Sequence, residues 1–224
     1  FKFYLQAWVL FGIGAAYILW YLGSIGVFKG MKQSWGKRSF FAVITVFIFG
    51  ASLYPIAALE PRLGDRFEKT PLTLDGLRYM DTAVYRDIRG SISLSFDKAA
   101  IDWMQWNIEG SPIIVEAVTP EYRWGGRVSV ATGLPTVLGW NWHQRQQRGI
   151  YADQVVERHK AIDKFYSSRE EIDAVEFLQK YNVDYIYVGQ LEDLYYPREG
   201  LHKFSRMAGN SLRSVYENEK VVIY

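Results

Sequence analysis

The sequence predicts two transmembrane α-helices followed by a soluble α/β domain with a mostly parallel, three-layer-like sheet. Three observations carry this. Phe3 to Phe28 and Ser39 to Leu59 contain no charged residue. All 24 acidic residues lie from Glu60 onward. Beyond that point, short runs of branched apolar residues alternate with amphipathic helical patterns, the signature of a layered sheet.

The division falls at 59/60, giving a transmembrane helical hairpin over 1–59 (helices about 3–28 and 39–59) and an α/β domain over 60–224. The first run of 26 residues would span about 39 Å as a helix, more than the ~30 Å hydrocarbon core, so tilt or an interfacial end is expected. Trp8, Tyr17, Trp20, Tyr21 and Tyr54 suit the interface zones. Gly12, Gly14, Ala15 and Ala16 give the first helix a small-residue face. A pair of buried core helices is the competing reading, disfavoured by runs this long and charge-free. A signal peptide fits poorly too, because the apolar run is too long and the chain opens with Phe1 rather than Met, an opening expected of a fragment. The connection Lys29 to Arg38 carries four positive charges and no negative one, which places it in the cytoplasm and everything after Glu60 outside. Arg62, Arg66 and Lys69 on the other side make this bias modest. The first 59 residues carry +5 and the remainder −3, which argues against a globally basic nucleic-acid binder. No cysteine is present, so disulfides, thiolate metal sites and a cysteine nucleophile are excluded.

In the second part, Glu60 to Asp75 reads as a linker punctuated by Pro61, Gly64 and Pro71. Asp97 to Ile108, after a cap at Ser95, reads as a helix. Val155 to Tyr166, Arg169 to Tyr181 and Leu201 to Met207 read as further helices. Ile113 to Val118, Pro135 to Trp140 and Val183 to Val188 read as strands. Ser214–Glu217 and Val221–Tyr224 read as a terminal hairpin turning at Asn218-Glu219. Val183 to Tyr196 reads as a strand followed by a loop, with Tyr185 and Tyr187 packing on one side.

Chemistry concentrates between Glu116 and Gly149, where charged and aromatic groups sit among glycines at strand ends. The candidate substrate-binding residues are Glu116, Tyr122, Arg127, Trp140, His143 and Arg148. Arg127 and Arg148 offer donor forks for phosphate or carboxylate. Tyr122 and Trp140, with Trp124 and Trp142, offer flat faces for a sugar ring or polyprenyl chain. Glu116 can accept from hydroxyls, and His143 can titrate or donate. Each has a plainer role open to it: the arginines and Glu116 in structural ion pairs, His143 as a surface or capping residue, Trp140 and Trp142 as packing residues or bilayer anchors. His143, His159 and His202 show no metal-ligand spacing. No phosphate loop, dinucleotide fingerprint or Gly-x-Ser-x-Gly elbow is present, which leaves a hydrolase without a nucleophile constellation.

FKFYLQAW (Phe1 to Trp8), TLDGLRYM (Thr73 to Met80), AIDWMQWNIEGSPIIVEA (Ala100 to Ala117), GRVSVATGLPTVLGW (Gly126 to Trp140) and YIYVGQLE (Tyr185 to Glu192) together resemble the C-terminal part of the bacterial and archaeal YYY (DUF2298) family of polytopic membrane proteins. The resemblance runs through nearly the whole chain, in order. It implies a GT-C glycosyltransferase-like protein: many membrane helices, a lipid-linked sugar donor, and an extracytoplasmic C-terminal domain that shapes the substrate site. It departs at Gln144, where the family pattern has an acid after His143, and at Arg145, where an aromatic is common; Arg148 and Gly149 match. That leaves the segment a binding role rather than an acid–base one. The resemblance also implies that the catalytic carboxylate lies upstream of this chain, that these 224 residues alone are inactive, and that any divalent metal belongs to the full-length protein, with no cofactor held here. The implied partners are the lipid bilayer, a lipid-linked sugar and further transmembrane helices of the same protein or complex, and no nucleic acid. The alternative is a non-catalytic membrane-anchored subunit of a larger complex, docking a partner through its extracytoplasmic domain.

Overall fold

The computed structural model describes residues 2–27, 34–66 and 72–224. The chain divides into two compact units, Phe1–Arg66 and Phe67–Tyr224, several residues later than the predicted boundary.

The first unit holds α1 (Lys2–Ser24) and α2 (Trp35–Arg66). Both are long and apolar enough to cross a membrane, and their most apolar stretches contain no buried residue. Phe3, Trp8, Phe11, Phe47 and Ile56 stand exposed, an arrangement that water penalises and lipid does not. α1 stops four residues before the predicted Phe28. Gly26 adopts φ +75°, its N–H bonds Gly23 O, and Val27 N–H reaches back to Leu22 O. This is a Schellman ending, which needs a residue that tolerates the left-handed region. α2 runs past Leu59 into the expected linker, through Pro55 and Pro61. Each proline lacks the N–H of a helical ladder, a loss that spanning helices absorb better than exposed soluble ones. The remainder of the Lys29–Arg38 connection up to Gln33, and 67–71 of the linker, lie outside the described residues.

The second unit is a mixed helical and sheet region. A hairpin, β1 (Val84–Asp87) and β2 (Gly90–Ser93), leads directly into α3 (Leu94–Asn107). The N-cap is Ser93 rather than Ser95, and its side chain makes no capping hydrogen bond. β3 (Ile113–Val115) follows, then α4 (Arg127–Thr132), α5 (Asn141–Arg148), α6 (Ala152–Ser167), α7 (Glu171–Tyr181) and β4 (Val183–Val188). α8 (Gln190–Tyr195), α9 (Arg198–Met207), β5 (Tyr216–Glu217) and β6 (Val222–Ile223) complete the chain.

The larger sheet has the order β3-β4-β6-β5. It is mixed, which corrects the mostly parallel, three-layer-like expectation. β3 and β4 are parallel, but β6 runs antiparallel to both β4 and β5. The predicted strand 135–140 shrinks to one parallel bridge, Thr136 to Ile114. Pro135 supplies only a carbonyl to Ile114 N–H, Val137 returns one bond to Ile114 O, and the segment then leaves the sheet. Side chains alternate across the sheet as a pleat requires. Ile114 and Tyr187 join Ala100, Met104 and Val128 in one buried cluster. Val115 and Ile186 join Ile162, Phe165 and Phe204 in the other. The buried Tyr166 hydroxyl lies between the carbonyls of Val115 (3.0 Å) and Tyr187 (2.9 Å), holding the carboxyl ends of β3 and β4 where their ladder stops.

Candidate functional site

The parallel pair β3–β4 ends at Glu116 and Gly189, and the segments leaving those ends build the site. Glu116 is 1% exposed. Its carboxylate accepts Val128 N–H and Ser129 N–H, both at 2.9 Å. These are orphan donors of the first turn of α4, whose N-cap, Gly126 (φ +78°), has no side chain to offer. Burial raises the Glu116 pKa, against the pull of Arg127 and these two N–H groups. From α8, Glu192 does the matching work for the sheet: its oxygens accept Ala117 N–H (2.7 Å) and Gly189 N–H (2.8 Å), one from each parallel strand end.

Arg127 sits between these acids. Its Nε donates to Asp97 Oδ2 at 2.6 Å, its Nη2 to Glu192 Oε2 at 3.0 Å, and Glu116 Oε2 is 3.8 Å away. The Tyr187 ring lies 4.9 Å below the guanidinium, and the Tyr187 hydroxyl donates to Asp97 Oδ1. Burial works against the Arg127 charge, yet Asp97 and Glu192 outweigh it and hold its pKa well above the ordinary value. All four charged side chains are buried. Taken together they form a structural clamp joining α3, α4, α8 and the strand ends, the ion-pair role that the sequence also allowed for Arg127. Asp97 and Glu192, both essential to it, were not singled out from the sequence; Glu192 lies in a stretch read there as loop.

Three of the other predicted residues come together. The Tyr122, Trp140 and His143 rings are mutually 5.4–5.9 Å apart. Tyr122 takes φ +63°, and the turn is fixed below it: Trp140 Nε1 donates to Gly125 O at 2.9 Å, and Thr119 Oγ1 accepts Gly125 N–H. A side chain at Gly125 would overlap Thr119, so the close approach requires glycine. Tyr122 remains 72% exposed.

Arg148 lies elsewhere. It lines a hollow of about 390 Å³ between α5, α6 and the 136–139 segment, together with Gln144, Tyr151, Gln154 and Arg158. Gln144 Oε1 orients Arg148 through Nε (2.6 Å), and Val137 O orients Arg158 through Nη1 (2.9 Å). The Thr136 hydroxyl on the same wall is buried without a hydrogen-bond partner among the described residues. Arg127 instead borders a separate, more apolar hollow of about 300 Å³ with Trp124, Met80 and Ile101. The two arginines therefore do not line a common cavity. Arg158 and Gln154 were not singled out from the sequence, since both lie beyond the Glu116–Gly149 stretch where chemistry was expected, and Gln144 stood out there only as a departure after His143.

Two guanidiniums, each oriented by one hydrogen bond, and two amides around a hollow of this size suit an oxyanion bearing a hydroxylated group. Among the described residues no group of three or more His, Asp or Glu side chains forms a metal site. Comparison with protein-family models, with curated proteins and with solved structures gives no match.

Proposed function

We propose that this chain is the C-terminal portion of a GT-C-type integral membrane glycosyltransferase that uses a lipid-linked sugar donor. In this reading α1 and α2 cross the membrane, and the 60–224 domain is extracytoplasmic and shapes the substrate site. The observation that carries it is the pair Arg148 and Arg158 facing one hollow with Gln144 and Gln154. The arginines neutralise the phosphate of the donor, and the amides take its sugar hydroxyls. Arg127, engaged by Asp97 and Glu192, passes its expected phosphate role to Arg158. Of the aromatic group Tyr122, Trp140 and His143, Trp140 lies one turn of α5 before Gln144, whose N–H bonds the Trp140 carbonyl at 2.9 Å, and the group offers apolar contact. The chain contributes recognition; bond-making needs a carboxylate supplied from elsewhere in the protein.

The test is binding of farnesyl phosphate to the chain in lipid nanodiscs, read by tryptophan fluorescence. Arg148→Gln and Arg158→Gln should each weaken binding about tenfold or more, the usual worth of a charge-assisted hydrogen bond. Farnesol, which lacks the phosphate, should bind far less. Equal binding of farnesol, or indifference to both substitutions, overturns the reading.

A second reading, a non-catalytic membrane-anchored subunit docking a partner, draws on one observation. Gln105 Nε2 bonds Ala131 O, so the ends of α3 and α4 adjoin, and there Trp106 and Val130 are 87% and 79% exposed. It predicts that Trp106→Ser releases a second polypeptide that otherwise copurifies with the chain.

A further inference from the structure

A second hollow, of about 360 Å³, opens at the carboxyl end of β3, bounded by Thr119 and Glu121 of the loop, Asn141 at the start of α5, His159 and Asp163 of α6, and Tyr196 after α8. Carboxyl ends of parallel strands are where open α/β sheets bind ligands. Its walls are held from behind. The Tyr196 hydroxyl bonds Val118 N–H at 3.1 Å, and its ring stacks on Tyr166 at 4.7 Å. Glu121 is fixed by Trp142 N–H at 3.2 Å. Asn141 Nδ2 meets His159 Nδ1 at 3.3 Å, His159 Nε2 lies 3.6 Å from Asp163, and Asn141 Oδ1 is buried with no partner among the described residues.

The chemistry differs from that of the Arg148 hollow. Two carboxylates, Glu121 and Asp163, face one cation, Arg89, whose Nη1 already donates to Tyr195 O and whose guanidinium lies over the Tyr195 ring. Two carboxylates against one already engaged arginine offer little to hold a phosphate and leave several acceptors for hydroxyl protons. Ligand sites run from about 300 to 1,000 Å³, so this one, at the low end, is of a size for a single sugar ring. α6 contributes Gln154, Val155 and Arg158 to the first hollow and His159 and Asp163 to this one. The two are neighbours across one pair of helices.

We infer that this hollow is the acceptor subsite, binding an uncharged monosaccharide unit through its hydroxyls while the donor phosphate occupies the arginine hollow beside it. Asp163 and Glu121 accept hydroxyl protons, Asn141 both accepts and donates, and Tyr196 sets the floor. The word acceptor rests on the transferase reading; the binding of a neutral sugar does not.

The experiment is saturation-transfer NMR of methyl glucoside, methyl galactoside and methyl mannoside on the full chain in nanodiscs, which avoids the sugar headgroups of glycosidic detergents. At least one glycoside should saturate, and glucose 6-phosphate should bind more weakly than its neutral counterpart. Asp163→Asn and Asn141→Ala should each weaken that glycoside about fivefold or more, with the thermal unfolding midpoint unchanged in at least one of the two. If no glycoside saturates, or if both variants bind as the parent does, the inference fails. Farnesyl phosphate binding is read on the same samples. Its loss with glycoside binding intact removes the donor reading alone, and the converse removes the acceptor subsite alone.

Discussion

Replacing Arg127 by Met tests what holds the head together. Met fills the space but removes the one cation serving Asp97 and Glu192, both 0% exposed. Breaking a buried pair from one side costs about 3–5 kcal/mol, because an uncompensated charge stays behind. A second route gives a similar figure. A stranded carboxylate escapes by taking a proton, which at neutral pH, with an ordinary pKa near 4, costs about 4 kcal/mol. Against a domain stability of about 5–15 kcal/mol, the variant is left marginal. The two routes separate with pH: at about pH 5 the protonation cost falls to roughly 1.4 kcal/mol per carboxylate. The assay is urea unfolding of the chain in nanodiscs, followed by tryptophan fluorescence at both pH values. Arg127→Met should lose about 4 kcal/mol at neutral pH and regain more than half of that at pH about 5. A loss below about 1 kcal/mol, or one that does not shrink on acidification, would refute the clamp and return Arg127 to the list of ligand-binding groups.

Gly200→Ala would push a methyl into the carbonyl oxygens of Tyr166 and Ser167 at the α6–α9 contact, so it should cost about 1–3 kcal/mol, visible as a lowered unfolding midpoint; an unchanged midpoint would mean the contact is looser than described. Lys203 is buried with its ammonium on the carbonyls of Phe165, Ser168 and Gly200, and burial pushes its pKa down to about 8. Between about 8 and its ordinary 10.5 the unfolded chain holds a proton there that the folded chain has shed, so this group makes stability rise with pH across that window. Lys203→Met should lower stability throughout and remove that rise; a parallel pH profile would contradict the assignment. Tyr166 and Tyr187, both raised by burial, act in the opposite sense above about pH 10, and the comparison with Lys203→Met subtracts their contribution.

Where the sequence carries strong periodicity, the fold was readable from it. β4 spans Val183–Val188 as expected, and α3, α6, α7, α9 and the terminal hairpin lie within a few residues of prediction. α5 was not legible: NWHQRQQR offers no apolar repeat, so nothing in it announces a helix. The β1–β2 hairpin was missed because its strands are short and Val84 is half-exposed. The antiparallel addition of β6 beside β4 is a long-range choice that no local pattern encodes. At the site, the sequence pointed to Glu116–Gly149, whereas the hollow beside Arg148 also draws Gln154 and Arg158 from α6. The sequence could not say which arginine would be sequestered, since that depends on Asp97 and Glu192 arriving from 30 and 65 residues away.

The most direct measurement uses the absence of cysteine, which lets a single introduced thiol report its own side of the membrane. Gln33→Cys marks the connection between the two apolar helices, and Glu219→Cys marks the head. Labelled in intact cells with a membrane-impermeant maleimide, Glu219→Cys should react at once and Gln33→Cys only after permeabilisation. If both thiols react on the same side, or the chain fractionates away from membranes, the two-pass anchor is wrong and the lipid-linked donor goes with it.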